Sequence, residues 1–226
     1  MSTQNNIANI WNREYEKGKY DGEAPIAFVD EIQQILKDYS KTSGKGLYVG
    51  CGNGRNYIPL LKNKLDLTGL DVSNKGLTQI LDAFPPAEKK LVEADYLGFE
   101  PGHLFDYVIS LQTFQHGNID VAREYFEKTA ALLKPGGLFF LRVNSSNSDV
   151  FFDYDSKQQS QGGGIELTSS GDIDNKIDVH FFSKGELESL TNNAFSIVRD
   201  LHEIEEIRHV PKTGRWVEWE GVWQKT

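Results

Sequence analysis

The stretch LYVGCGNGRNYIPLL, Leu47 to Leu61, constrains this chain more than any other. An apolar run meets Gly50, Gly52 and Gly54, and an apolar pattern of helical spacing begins just after. A strand hands over to a helix there, through a turn free of bulky side chains. Glycines permit positive φ and let the backbone approach a ligand closely. Two ligand classes compete for such a loop: a dinucleotide, or a nucleoside cofactor without phosphates. The dinucleotide fingerprint G-x-G-x-x-G needs glycine at position 55. The chain has Arg55, and its glycines are spaced G-x-G-x-G. A bare glycine turn before a helix is also common for structural reasons alone.

The pattern around this loop predicts alternating strands and helices. Ile7, Ile10, Trp11 and Tyr15 fall at helical spacing within residues 5–20, and Pro25 opens a second helix with Phe28, Val29, Ile32, Ile35 and Leu36 as its stripe. GKGLYVG is the first strand and Asn53 to Lys62 its following helix. LDLTGLD is the second strand, followed by a helix capped by Ser73 and ended by Pro85-Pro86. KKLVEAD and LFDYVISL make strands three and four. Residues 119–134 form a helix lined by Ala122, Phe126, Ala130 and Leu133, stopped by Pro135-Gly136-Gly137, and LFFLRV is strand five. Residues 145–176 are polar and glycine-rich, without sheet-forming pattern. SKGELESLTNN is a helix. FSIVRDLHEIEEI and RWVEWEGVW are two late strands joined by a turn at Pro211 to Gly214, with Val217, Trp219 and Trp223 on one face as packing residues. Five strands alternating with helices imply an α/β fold with a doubly wound parallel sheet. The late strands, with no helix between them, pair antiparallel.

A chain of 226 residues suits one domain of this kind, spanning 1–226. No run of about 18 apolar residues exists to span a membrane, and MSTQNNIANIWNREY lacks the basic and apolar regions of a secretory signal. One cysteine, Cys51, excludes an internal disulfide and a four-cysteine zinc site, and a reducing cytoplasm is the default compartment. The formal charge of -9, with no basic stripe, disfavours nucleic acid as a partner.

Two carboxylates narrow the ligand. Asp71 ends the second strand, where it can accept both hydrogens of a ribose diol. A dehydrogenase also places an acid there, so Asp71 argues for a nucleoside and does not choose the cofactor. Asp95 ends the third strand, placed to accept from an adenine amine. Each alone is equally a cap or turn residue; their joint placement at successive strand ends is the signal. With these residues in place the chain resembles the class I S-adenosylmethionine-dependent methyltransferases. LYVGCGNGRN resembles their first motif, LTGLDVS the acidic second, EADYLGF the third, FDYVISLQTFQH the segment ending strand four, and LLKPGGLFFL the turn into strand five.

The resemblance implies a Rossmann-like seven-stranded sheet of order 3-2-1-4-5-7-6, strand seven antiparallel, with helices on both faces. S-adenosylmethionine is then the cofactor and S-adenosylhomocysteine its product. Gly50 and Gly52 would lie against the methionine part, with Cys51 an inert thiol in the same loop. Asp71 would hold the ribose, Val72 the adenine, Asp95 the adenine amine with Tyr96 beside it, and Leu111 and Gln112 would pass under the methionyl group.

Methyl transfer from a sulfonium is an in-line displacement with a neutral leaving group, so no metal is required. Alignment alone can supply roughly 7–11 kcal/mol. A base is needed only for a protonated acceptor. His116, after strand four, and His180, in DVHFFS, are the candidates; each is equally a structural histidine. The acceptor is expected to be a small molecule. Trp11, Tyr15, Tyr20, Phe151, Phe152 and Tyr154 are candidate walls of its pocket, drawn from a lid within residues 1–40 and an insertion at 145–177. The rival expectations are a protein or RNA methyltransferase, a non-catalytic cofactor binder, and, for assembly, either a monomer or a homodimer.

Overall fold

Central strands of a parallel sheet are covered on both faces and therefore read as continuous apolar runs. The computed structural model describes residues 3–170, 176–208 and 213–226, and side chains from residue 7 onward within them. Its strands β1 (Lys45–Val49), β2 (Asp66–Asp71), β3 (Leu91–Glu93), β4 (Phe105–Leu111) and β5 (Leu133–Asn144) alternate with helices α1 (Thr3–Glu16), α2 (Phe28–Asp38), α3 (Tyr57–Lys62), α4 (Asn74–Ala83) and α5 (Ile119–Leu132). Strands β6 (Tyr154–Gln159), β7 (Ile165–Ser169) and β8 (Asp178–Phe181) follow, then α6 (Lys184–Thr191), β9 (Phe195–Arg208) and β10 (Gly214–Lys225).

Seven strands form one sheet in the order β3-β2-β1-β4-β5-β10-β9. The parallel register of β1 on β2 runs from Lys45 opposite Asp66 to Val49 opposite Leu70. β10 lies antiparallel to both β5 and β9. Counted within this sheet, the order is 3-2-1-4-5-7-6 with the seventh strand reversed, as expected. Pro211 and Lys212, in the expected turn between the last two strands, lie outside the described residues. Among the described residues no helix is long and apolar enough to cross a membrane.

The chain divides into two compact units, Met1–Ile109 and Ser110–Thr226. In the first, Phe28, Val29, Ile32 and Leu36 form the buried stripe of α2. Ser73 caps α4, its hydroxyl oxygen accepting from the Gly76 N–H at 3.0 Å. Three boundaries differ from expectation. α2 begins at Phe28, three residues beyond Pro25. α3 begins at Tyr57 rather than Asn53, because Gly54 sits at φ +90° and holds the preceding residues in a turn. β3 begins at Leu91, since Pro85–Lys90 wind into a 3₁₀ turn that takes up Lys89 and Lys90, and it ends at Glu93.

In the second unit Phe139 stacks on Trp223 at 5.7 Å and meets Phe126 edge-on at 5.5 Å. The Trp219 indole N–H donates to the Phe182 carbonyl at 3.0 Å. Both tryptophans are core residues. Pro135-Gly136-Gly137, expected as a turn, lies inside β5, which starts at Leu133. The residue before a proline is pushed out of helical geometry, so the chain goes straight from helix to strand.

The larger correction concerns residues 145–177, expected to be loop. β6, β7 and β8 form a separate antiparallel sheet in that order. β6 is exposed at every residue and carries no apolar alternation, so its pairing leaves no hydrophobic signature. Gly162, Gly163 and Gly164 lie in its turn, where the Ser160 N–H donates to the Gly164 carbonyl at 3.0 Å. A Cβ at Gly164 would overlap the Glu186 carboxylate. That carboxylate is pinned by the Ser183 N–H, His180 and the Ser160 hydroxyl, so it has little room to yield. Gly164→Ala is expected to cost about 1–3 kcal/mol, as overpacking does, read as a lower thermal midpoint. An unchanged midpoint would show that the hairpin is not docked on α6.

Candidate cofactor and acceptor residues

In the first unit the glycine loop is held by one carboxylate. Asp71, 8% exposed at the end of β2, accepts from the Gly52 N–H at 2.7 Å and the Ser73 N–H at 2.8 Å. Burial raises its pKa above the ordinary carboxylate value, against those backbone hydrogen bonds, which lower it. An ionised carboxylate has about four acceptor sites. Gly52, Ser73 and the Val72 backbone take up to three of these, which leaves room for a further donor. Gly50 and Gly52 hold φ of 71° and 56°. A Cβ on Gly52 would overlap the Tyr15 hydroxyl, so the turn is a cradle that only glycine leaves open. Cys51, within that turn, is buried. Burial and the Asp71 charge raise its thiol well above the usual value, which suits an inert residue. Val72 follows Asp71 and is partly exposed.

Asp95 lies two residues beyond the end of β3. Its Oδ1 accepts from Leu97 N–H at 2.9 Å and Gly98 N–H at 3.3 Å, the geometry of a turn. Tyr96 beside it is buried.

Three of the aromatic candidates share one neighbourhood. Trp11 and Tyr15 on α1 are 5.8 Å apart, and the Lys19 ammonium lies 5.1 Å from the Trp11 ring. The Arg55 guanidinium stands 4.3 Å over Tyr20 and pairs with Glu23 at 2.5 Å. Arg55 thus occupies the place of the third dinucleotide glycine with a paired cation. Tyr20, Glu23, Arg55, Ile58, Gln79 and Asp82 help line an open groove of about 630 Å³, which takes in neither Asp71 nor Asp95.

In the second unit Leu111, buried, ends β4, and Gln112 follows at φ 61°. A left-handed backbone is uncommon for a residue with a Cβ. Gln112 is tied down twice: its N–H donates to the Arg142 carbonyl at 2.8 Å and its amide donates to Glu218 Oε1 at 2.6 Å. His116, partly exposed, forms an isolated antiparallel bridge with Val179, and the next N–H, Gly117, donates to the Asp178 carbonyl at 2.8 Å. β8 therefore sets the backbone that carries His116.

His180 is fully buried. Its Nε2 lies 3.1 Å from Glu186 Oε2 and its Nδ1 3.6 Å from Glu166 Oε1, while its N–H donates to the Gln115 carbonyl at 2.7 Å. That is the setting of a hydrogen-bonded core histidine that braces the loop before His116. Phe151 packs on Trp216 at 6.1 Å and Phe152 on Phe181 at 6.4 Å, whereas Tyr154 stands exposed at the start of β6. The insertion therefore splits the acceptor candidates: Phe151 joins an aromatic cluster and Tyr154 does not. The partly buried Arg142 and the buried Glu218 and Glu220 were not anticipated. Two glutamates at i and i+2 inside a strand, with an arginine in another, were the available signal.

The family model described as a methyltransferase domain matches residues 47–139. This segment, which carries the glycine turn, Asp71 and Asp95, is thus similar to a methyltransferase domain. The chain is 25% identical over 138 residues to a probable thiol methyltransferase of Arabidopsis thaliana, covering 58% of this chain and 60% of that protein. It is 24% identical over 110 residues to a thiocyanate methyltransferase of Brassica oleracea, covering 47% and 49%. The chain thus spans about half to three-fifths of the curated relatives it matches. The fold superposes on the 1,6-didemethyltoxoflavin-N1-methyltransferase of Burkholderia thailandensis, solved with that compound and S-adenosylhomocysteine, with a TM-score of 0.63, 18% identity, and coverage of 100% of this chain and 92% of that one.

The docking of the hairpin predicts a pH dependence. Burial works to raise the Glu186 pKa, but the hydrogen bonds from His180, Ser160 and the Ser183 backbone outweigh it, and the folded value is lowered. A lowered folded pKa contributes stability above the unfolded value, about 4.3 for glutamate, and loses it as pH falls through the folded value. Glu186→Gln is expected to melt below the native chain at pH 7, with the gap narrowing on acidification below about pH 4. A gap that stays constant from neutral to acid pH would count against the assignment.

Proposed function

We propose that this chain binds S-adenosylmethionine and transfers its methyl group to a small-molecule acceptor, with sulfur nucleophiles as the first class to assay. The observation that carries the reading is Asp71: it clamps the glycine turn through Gly52 and keeps acceptor capacity for a ribose. Gly50 and Gly52 would lie against the methionine part, Val72 and Tyr96 against the adenine, and Leu111 and Gln112 near the methionyl group. Asp95 would reach the adenine amine through the oxygen its turn does not use. When bound, the cofactor supplies an electrophilic methyl on a good leaving group. The protein's part is to orient the acceptor and keep water out. The names of the curated relatives support sulfur acceptors, and the charge of -9 favours a small molecule over a nucleic acid.

His116 would accept the proton of an acceptor that arrives protonated, and His180 would hold the loop in place. Trp11, Tyr15, Tyr20 and Phe151 would wall the acceptor.

Calorimetry tests the first half. S-adenosylhomocysteine is expected to bind and NAD is not; Asp71→Ala is expected to weaken binding by roughly 1.5–3 kcal/mol, the worth of hydrogen bonds to a charged group. Tight NAD binding without a response to S-adenosylhomocysteine would sink the reading. Turnover with labelled cofactor tests the second half. His116→Asn is expected to slow transfer to a thiol roughly 10²–10⁴-fold, because a thiol must lose its proton. It should leave transfer to thiocyanate, already an anion, nearly intact. Equal losses for both acceptors would remove His116 as the base.

A further inference from the structure

Arg142, partly buried, and Glu218, buried, form an ion pair that the proposed chemistry does not yet use. The guanidinium donates to Glu218 Oε2 through Nε at 2.9 Å and Nη2 at 2.5 Å, and to Glu220 Oε1 through Nη1 at 2.7 Å. The two carboxylates are nearly fully buried. Glu220 Oε2 also lies 3.6 Å from Arg199 and 3.5 Å from His202. Burying charges of this kind is costly, and apolar side chains of similar volume often serve stability as well or better. Stability alone therefore does not account for the pair.

The free end of the network accounts for it. Glu218 Oε1, the oxygen that Arg142 leaves, accepts from the Gln112 amide. The same Arg142 supplies the backbone carbonyl that takes the Gln112 N–H. Side chain and main chain of Gln112 are thus fixed by one pair of residues. An ionised carboxylate only accepts, so Glu218 also dictates which face of the amide it meets: the nitrogen turns toward it and the oxygen away. Gln112 directly follows β4. In open α/β sheets ligands bind beyond the carboxyl ends of the strands. A non-glycine residue held at positive φ is a form of backbone strain that clusters at ligand clamps.

We propose that Arg142 and Glu218 are positioning residues for the cofactor site: they hold Gln112 in its left-handed geometry at the end of β4 and fix the orientation of its amide. This rests on the function proposed above. Neither residue need touch a ligand, because both act through Gln112.

The test uses the full chain, with S-adenosylhomocysteine as the probe, so that no acceptor is needed. The double variant Arg142→Met/Glu218→Met replaces the pair with apolar side chains and leaves Glu220 to Arg199 and His202. Its melting temperature is expected to stay close to that of the native chain, while its affinity falls about tenfold. Gln112→Met is expected to lose affinity by the same factor, and the triple variant no more than either, since residues acting through one another are not additive. If the double variant does not fold, Glu218→Gln replaces it, with a smaller loss that disappears in the Gln112→Met background. Native affinity in the double variant, or losses that multiply in the triple, would overturn the proposal while leaving the proposed function standing. A native chain that does not bind S-adenosylhomocysteine would overturn both.

Discussion

A buried carboxylate must be met by donors, and in the first unit Asp71 turns that requirement into architecture. It takes the Gly52 N–H on one side and the Ser73 N–H on the other. The glycine turn after β1 and the start of α4 after β2 are thereby fixed to each other. Ser73 then caps α4 with its hydroxyl, and that same hydroxyl donates to Asn12 Oδ1 at 2.7 Å, which ties α1 to the assembly. Tyr15, one turn further along α1, closes over Gly52. Replacing Gly52 would displace Tyr15, and displacing α1 would break the bond between Asn12 and Ser73.

The second unit answers the same requirement differently. Its buried acids meet nitrogen-bearing side chains: Glu218 and Glu220 meet Arg142, and Glu186 meets His180. Arg142 remains fully charged there, its pKa raised because the attraction of the two glutamates exceeds the burial that lowers it. Each cluster sits where a loop must be held. The arginine pair holds Gln112, and His180 with Glu186 joins β8, α6 and the hairpin turn at Ser160.

What was legible in the sequence follows from this physics. The main sheet could be read because its strands are apolar runs between turns, and the signal of Leu47 to Val49 or Val108 to Leu111 needs no partner to be visible. Ser73 was readable as a cap, because capping is local, and Asn118 and Ser183 cap α5 and α6 in the same way. The β6–β7–β8 sheet was not readable. Its outer strand is polar throughout, and what holds it is the contact of Gly162 and Gly164 with Glu186, far apart in sequence. Asp71 could be found at a strand end by type and position. The role of Glu218 could not, because it depends on an arginine and a glutamine brought together only by folding.

The placement of β10 between β5 and β9 has a consequence for the order of assembly. β9 and β10 are neighbours in sequence, and such a hairpin closes in about 1–10 μs. β5 is separated from β10 by the whole of the β6–β8 sheet and α6. Loop-closure entropy delays contacts of that kind. Loop-closure entropy therefore favours pairing of β9 with β10 over docking of β10 on β5. Arg142 faces its glutamates only where β10 lies on β5, so completion of the sheet and fixation of Gln112 depend on the same pairing.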